Sequence, residues 1–501
     1  MRTFQGAHGM ESTGIIAENR LPGTTAWQIA GPTAPGFIQG FTGVTYANAG
    51  TSVNLYVSTD APQFHVVAYR MGWYRGTGAR TIWSSHEVAG HVQAACPVTP
   101  LINMVSCANW TPSLAIPVTS AFVPGDYLLK LIGSGNQQSY ALLTVWDPAS
   151  TATYVIMNRS LTEAAWNTYG GFSFYQGEGP CLLDTNPYPV CNRARVVSFD
   201  RPFSDGNGSS DFLSNEYPVI RYAEENGLDV TYASDITVDA QPSMLLQHRA
   251  LVSLAHDEVW TYRERTAAQA ALAHGVNVAF LGAAALVRHG RLQPSPLGAN
   301  REEVDYRDGS EDPLNGHGNP LEVTGNTWSS PPASWPGSGF VGELYSGYTN
   351  PGALPVPLVV SDASNWIFRG TGLHSGSSIP AAIDSDFDHA YPAGPMPANL
   401  QILTHSPVPL AVAYTNQGKW GTNTYSDMTY YTDLTSKAGV IDTGDNNWIN
   451  AMTPCVPASA ACPSGPISAM TGNILKLFGL GPAGATEPSV PNWQAVVPAG
   501  S

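Results

Sequence analysis

Charge is scarce in this 501-residue chain: Asp, Glu, Lys and Arg together make up 12% of it. The 22 basic side chains face 38 acidic ones, giving a formal net charge of −16, and no Lys/Arg run occurs. Nucleic acid and anionic membrane surfaces are therefore poor partners. Long apolar runs are missing too. The best, residues 276–286, falls short of the roughly 18–20 residues a membrane helix needs, so no membrane insertion is expected. No G-x-S-x-G elbow is present, which argues against a serine-based amidase. No CxxC or HxxxH spacing suggests a zinc site. Residues 1–13 show no charged segment followed by an apolar one, so no signal peptide is visible.

Glycine and proline, by contrast, are abundant, at 50 and 40 residues, and favour short strands and loops over long helices. With 43% hydrophobic residues the chain can bury real cores, and its length suggests about three units. The six cysteines fall as local pairs, Cys96 with Cys107, Cys181 with Cys191 and Cys455 with Cys462, each in or beside a Pro-rich loop. Three loop-closing disulfides are expected, and with them a secreted or cell-surface location.

The expected fold class is α/β plus β. Residues 14–148 carry period-two strand patterns at 52–58, 64–69, 126–132 and 140–146, which predict an antiparallel β-sandwich of Ig-like size. The aromatic segment Arg70, Met71, Gly72, Trp73, Tyr74 either binds a sugar or packs at a domain interface. Residues 149–481 alternate strands and helices, including a helix at 218–226 stopped by Gly227 and an Ala-rich helix at 261–274 stopped by Gly275. This grammar predicts a doubly wound α/β unit, of flavodoxin-like or amidotransferase-like kind, with long loop insertions. The Gly/Pro/Ser-rich stretch 303–357 reads as an excursion covering the cleft, and 482–501 as a Pro-rich tail.

In such sheets ligands bind beyond the carboxyl ends of the strands. His256, Asp257 and Glu258 follow the strand at 250–254 and are dense chemistry for so weakly charged a chain. Helix capping by Asp257 or Glu258 is the plainer alternative. A second polar knot, 158–175, holds Trp166, Asn167, Tyr169 and Tyr175 at another strand end. Tyrosine and carboxylate oxygens together suit a hard cation such as Fe(III) better than zinc. Asp384, Asp386, Asp388 and His389 look superficially like half a calcium loop, but no glycine or closing glutamate stands at the required offset.

At these residues the sequence resembles the N,N-dimethylformamidase large (beta) subunit family. The matching runs are GGFSFY ending at Tyr175, SFDRPF from Ser198, YPVIRYAEENGLDVTYASDITV from Tyr217, LVSLAHDEVW from Leu251 and FLGAAALVRHGRL from Phe280. SDMTYYT and GDNNW continue it, so the likeness spans about 154–479. The RMGWY segment looks like the domain that accompanies this unit. The resemblance implies hydrolysis of an amide by water activated on iron, held by two tyrosines and a glutamate. Tyr175 and Glu258 match two of these ligands. Trp166 stands where the first tyrosine is expected, Ala284 where related sequences carry asparagine, and Val287 at an aromatic position.

The combined reading is a secreted amidohydrolase-like protein acting on a C–N amide bond. Its catalytic residues would be His256, Asp257 and Glu258, its metal ligands Tyr175 and Glu258, and its substrate contacts Trp166, Asn167, Tyr169 and Arg288. Two alternatives remain open: a non-catalytic binding or assembly protein for polysaccharide or self-association, and a carbohydrate-active enzyme with paired carboxylates. The partner is a small molecule or a glycan, and formation of a homo-oligomer is left open.

Overall fold

The computed structural model describes residues 11–34, 36–178, 192–391, 394–415, 419, 421–456 and 462–497. The fold is mixed and sheet-rich, with few helices. Two sheets build the front. Ile38–Thr42, Thr51–Thr59 and Leu114–Val118 form the first. Gln63–Met71, Ala79–Ser84, Gly125–Gly133 and Gln138–Val145, with the short Tyr46–Ala47, form the second. Alternate residues of both, among them Val53, Leu55, Val57, Phe64, Val66, Leu129, Leu131 and Leu143, meet in one core. The period-two pattern is what makes this possible, because successive side chains of a strand leave its two faces.

Behind this lies a seven-stranded sheet. Its strands are β1 (Tyr154–Asn158), β2 (Val230–Ser234), β3 (Ala250–Leu254), β4 (Asn277–Leu281), β5 (Gln401–Pro409), β6 (Asn423–Thr432) and β7 (Gly439–Asp442). They lie in the order β2-β1-β3-β4-β7-β6-β5. The first five are parallel, and β6 and β5 join antiparallel. Tyr154, Ile156, Val252, Leu254 and Ala279 face one core, with helices Tyr217–Glu225 and Ser464–Phe478. Val155, Met157, Leu251, Val278 and Phe280 face the other, with helix Tyr262–Ala273. Burial on both faces explains why these strands read as unbroken apolar runs. The tail packs back as well: Asn492 donates to the Ile402 carbonyl, and Val497 is buried.

Front and rear meet at Glu224. Its carboxylate takes Arg70 Nη2 at 2.6 Å, Arg70 Nη1 and Asn19 Nδ2 at 2.9 Å and the Tyr232 hydroxyl at 2.7 Å, and both Arg70 and Glu224 side chains are fully buried. Tyr74 adds its hydroxyl to Arg70. The RMGWY segment therefore serves the interface: Arg70 and Tyr74 are spent on it. Cys96–Cys107 and Cys455–Cys462 are disulfides closing loops, while the expected Cys181–Cys191 pair lies outside the described residues.

Near this junction Asp126 is buried. One oxygen accepts from Thr144 (2.8 Å) and Asn158 (2.6 Å), and the other has no hydrogen-bond partner. Burial pushes its carboxyl from 3.8 to about 6. Across that window the folded chain keeps a proton the unfolded chain has lost, so this group's contribution to stability falls as pH rises, by about 3 kcal/mol in all. An Asp126→Asn variant keeps the acceptor and removes the titration. Urea unfolding should show the variant gaining on wild type by roughly that amount between about pH 4 and about pH 8. A difference independent of pH would refute the assignment.

Candidate functional site

The residues after β3 turn sharply at Ala255, whose φ is +49°. Gly282, after β4, lets this turn come close, because a Cβ there would stand 1.9 Å from the Ala255 carbonyl oxygen. Thr162, on helix Ser160–Trp166, then fixes the backbone beyond the turn: its hydroxyl accepts from the Glu258 N–H at 2.9 Å and the Val259 N–H at 3.1 Å. The Glu258 carbonyl accepts the Arg288 N–H at 2.8 Å. Helix Tyr262–Ala273 is capped by Thr261 and Glu264 in a reciprocal box. Asp257 and Glu258 are therefore not its caps.

Glu258 projects into a cavity of about 1060 Å³, at the upper end of the roughly 300–1,000 Å³ of sites for drug-sized ligands. Its Oε2 accepts the Tyr175 hydroxyl and, at 3.2 Å, the Trp166 indole N–H. Its Oε1 accepts Arg288 Nε at 3.1 Å. The Trp166 and Tyr175 rings are stacked, with centroids 3.7 Å apart. His256 Nε2 lies 3.6 Å from Glu258 Oε2, and its Nδ1 lies 3.8 Å from Asp386 Oδ2. Burial alone would raise the Glu258 carboxyl, but His256, Arg288, Arg307 and the Tyr175 hydroxyl outweigh it and hold the group below the usual range. Burial lifts Asp386, with His256 opposing and Glu258 adding. Tyr345, hydrogen-bonded to Asp386, stands on the same wall.

His256, Glu258, Trp166, Tyr175, Asn167 and Arg288 thus all line one cavity. Three expected roles need correction. Asp257 is fully buried behind the wall, accepting from Ser253 Oγ at 2.7 Å, because its side chain leaves the turn opposite to those of its neighbours. Burial pushes its carboxyl up to about 7. Tyr169 is outside the cavity, where its hydroxyl accepts from Gln39 at 2.8 Å. Asn167 is on the cavity edge, but its amide is used inside the loop, donating to Pro202 and accepting from the Tyr169 and Ser204 N–H groups. The aspartates of DSDFDH diverge: Asp386 lines the cavity, whereas Asp388 accepts the Ala284 N–H beneath it, so they form neither a calcium loop nor a solvated turn.

Residues 65–462 match the family described as N,N-dimethylformamidase beta subunit-like, C-terminal. The chain belongs to that family. The match begins inside the front sheets, well before residue 154. No curated protein matches the chain. Among solved structures, a Paenibacillus sp. cycloisomaltooligosaccharide glucanotransferase complexed with cycloisomaltoheptaose matches at 8% identity over 44% of this chain and 27% of its own, with a TM-score of 0.15. That likeness bears on neither fold nor function.

The iron shell suggested by the dimethylformamidase resemblance does not fit the residues present. Indole N–H, phenol O–H and guanidinium all donate to the Glu258 oxygens a metal would need. Among the described residues no group of three His, Cys, Asp or Glu side chains could hold a metal ion.

Tyr345 and Arg307 were not legible as site residues, since each reaches it from a distant element and carries no local motif, and Thr162, within the 158–175 knot, reads as an ordinary helix residue whose role shows only in its contacts. Thr162→Val should leave two buried N–H groups unpaired and cost about 1–3 kcal/mol each in chemical unfolding. Wild-type stability in that variant would contradict the role assigned to the hydroxyl.

Proposed function

We propose that this protein hydrolyses a C–N amide bond in the cavity, with His256 as the proton carrier. The observation that supports this most is the placing of one imidazole between two carboxylates, Glu258 at 3.6 Å and Asp386 at 3.8 Å, at the wall of a large cavity. Family membership supports a hydrolase-like reaction. Glu258, held charged by three donors, is a weak base and a good anchor, so it orients the attacking water. His256 takes the water's proton and delivers it to the departing amine, while Asp386 stabilises the imidazolium between the two steps. Arg288 and Arg307 supply positive charge where the carbonyl oxygen becomes negative. The Trp166–Tyr175 stack shields one side of the site from water.

The paired-carboxylate reading, which drew on Asp257, Glu258 and Asp386 or Asp388, keeps Glu258 and Asp386 on the cavity wall and loses Asp257 and Asp388, which do not line it. We place the protein in an oxidising compartment outside the cytoplasm, on the two loop-closing disulfides among the described residues.

The test is amine release from a panel of simple and N-acyl amides at neutral pH. Wild type should release amine from at least one. His256→Gln and Glu258→Gln should each lower kcat/KM by about 100-fold or more, with melting temperatures retained. Absence of release from every amide, or variants as active as wild type, would overturn the proposal.

A further inference from the structure

A three-stranded antiparallel sheet forms part of the cavity wall, with Leu344–Thr349 between Asp386–His389 and Ala413–Thr415. Its register sets Tyr348 against Asp386 on one side and against Tyr414 on the other. Residues directly opposed on neighbouring strands share a face, so Asp386, Tyr348 and Tyr414 form a row across the sheet, and all three line the cavity. The Tyr348 and Tyr414 rings are stacked, with centroids 5.3 Å apart. A register shift between Tyr345 and Gly347 adds a fourth member. Residues three apart would leave opposite faces of a regular strand, yet Tyr345 and Tyr348 both line the cavity.

The row starts beside the imidazole. Asp386 is 3.8 Å from His256, and Tyr345 is hydrogen-bonded to it. Two strand spacings of about 4.8 Å carry the wall on to Tyr414, roughly 10 Å from Asp386. An amide as small as a formamide would meet only the first part of this wall, and a cavity of about 1060 Å³ holds much more. The polar side chains beside the tyrosines are turned on one another: Thr349 donates to Asp384 at 2.8 Å, Ser385 to Asp386 at 3.3 Å and Asn446 to Ser385 at 3.4 Å. A sugar would need such groups for its own hydroxyls. An aromatic ring needs only the ring surface of the tyrosines, in the offset or edge-on packing that aromatic pairs prefer. Tyr345 and Tyr414 are only partly buried, so that surface is there to be covered.

We propose that the wall of Tyr345, Tyr348 and Tyr414 is a subsite for an aromatic ring of the substrate, which makes the substrate class amides carrying an aryl group a few bonds from the C–N linkage rather than formamide-sized ones. This deepens the amide-hydrolysis reading and rests on it for the word substrate, but the binding itself does not require turnover. A merely structural tyrosine cluster would show no preference between an aryl amide and a saturated one of the same size.

The experiment is equilibrium binding to the full chain, by ligand-observed NMR titration near neutral pH. The probes are N-phenethylacetamide and gamma-phenylbutyramide, which carry the ring on either side of the amide, each beside its cyclohexyl counterpart, and N-acetylglucosamine. In at least one pair, wild type should bind the aryl amide at least about threefold more tightly than the cyclohexyl one, the increment of an aromatic contact, and more tightly than the sugar. Tyr414→Leu, which keeps an apolar side chain without the ring, should remove most of that preference, and Tyr414→Phe should retain it. Equal affinity within both pairs, tighter binding of the sugar, binding of no probe, an undiminished preference in Tyr414→Leu or its loss in Tyr414→Phe would overturn the proposal. The wild-type comparison stands even if a variant fails to fold. Failure of the hydrolysis reading alone would appear as aryl-selective binding with no amide bond cleaved.

Discussion

Keeping one carboxylate charged inside the protein is the constraint around which the site is built. Glu258 is 7% exposed in its side chain, and burial works against its ionised form. An unpaired buried charge is costly, so the structure brings partners from three separate segments. Trp166 and Tyr175 come from the loop after β1, Arg288 from the segment after β4, and Arg307 from beyond strand Gly298–Val304. The backbone beneath is held by Thr162 and by the close packing of Ala255 on Gly282. These tie the carboxyl ends of β1, β3 and β4 into a single wall.

A second buried carboxylate, Glu224, performs a related task away from the cavity. By accepting from Arg70, Asn19 and Tyr232 it joins the front sheets, the helix Thr13–Asn19 and the central sheet at one point. The two sites use the same chemistry with different results. Glu224 is enclosed by donors on every side and serves architecture. Glu258 shares its cavity wall with an imidazole and an open volume, and that is where reactivity becomes available.

Much of the arrangement was readable in the chain. A five-residue apolar run located β3, and the placement of polar residues just beyond it directed attention to His256 and Glu258. Tyr175 and Trp166 were legible through the run that carries the family resemblance. What failed was resolution within that run. Three consecutive residues leaving a tight turn do not share a direction, so Asp257 went into the core while His256 and Glu258 went to the cavity. Tyr169 was lost to a neighbouring contact with Gln39 from the front sheets, 130 positions earlier. Arg307 reaches the site from far along the chain, and nothing local distinguishes it from an ordinary surface charge. The polar DSDFDH run suggested a loop, yet residues 386–389 form a strand, with Asp386 at the cavity wall and Asp388 bonded to the Ala284 N–H further in.

The central claim is that His256 carries the proton between water and the leaving amine. Chemical rescue tests it most directly: in His256→Gly, the vacated space opens on the cavity, and free imidazole supplies the missing base. Saturable recovery of amide hydrolysis, at least about tenfold above the variant alone, is the predicted result. Full activity of the variant without imidazole, or no recovery at saturating imidazole, would contradict it.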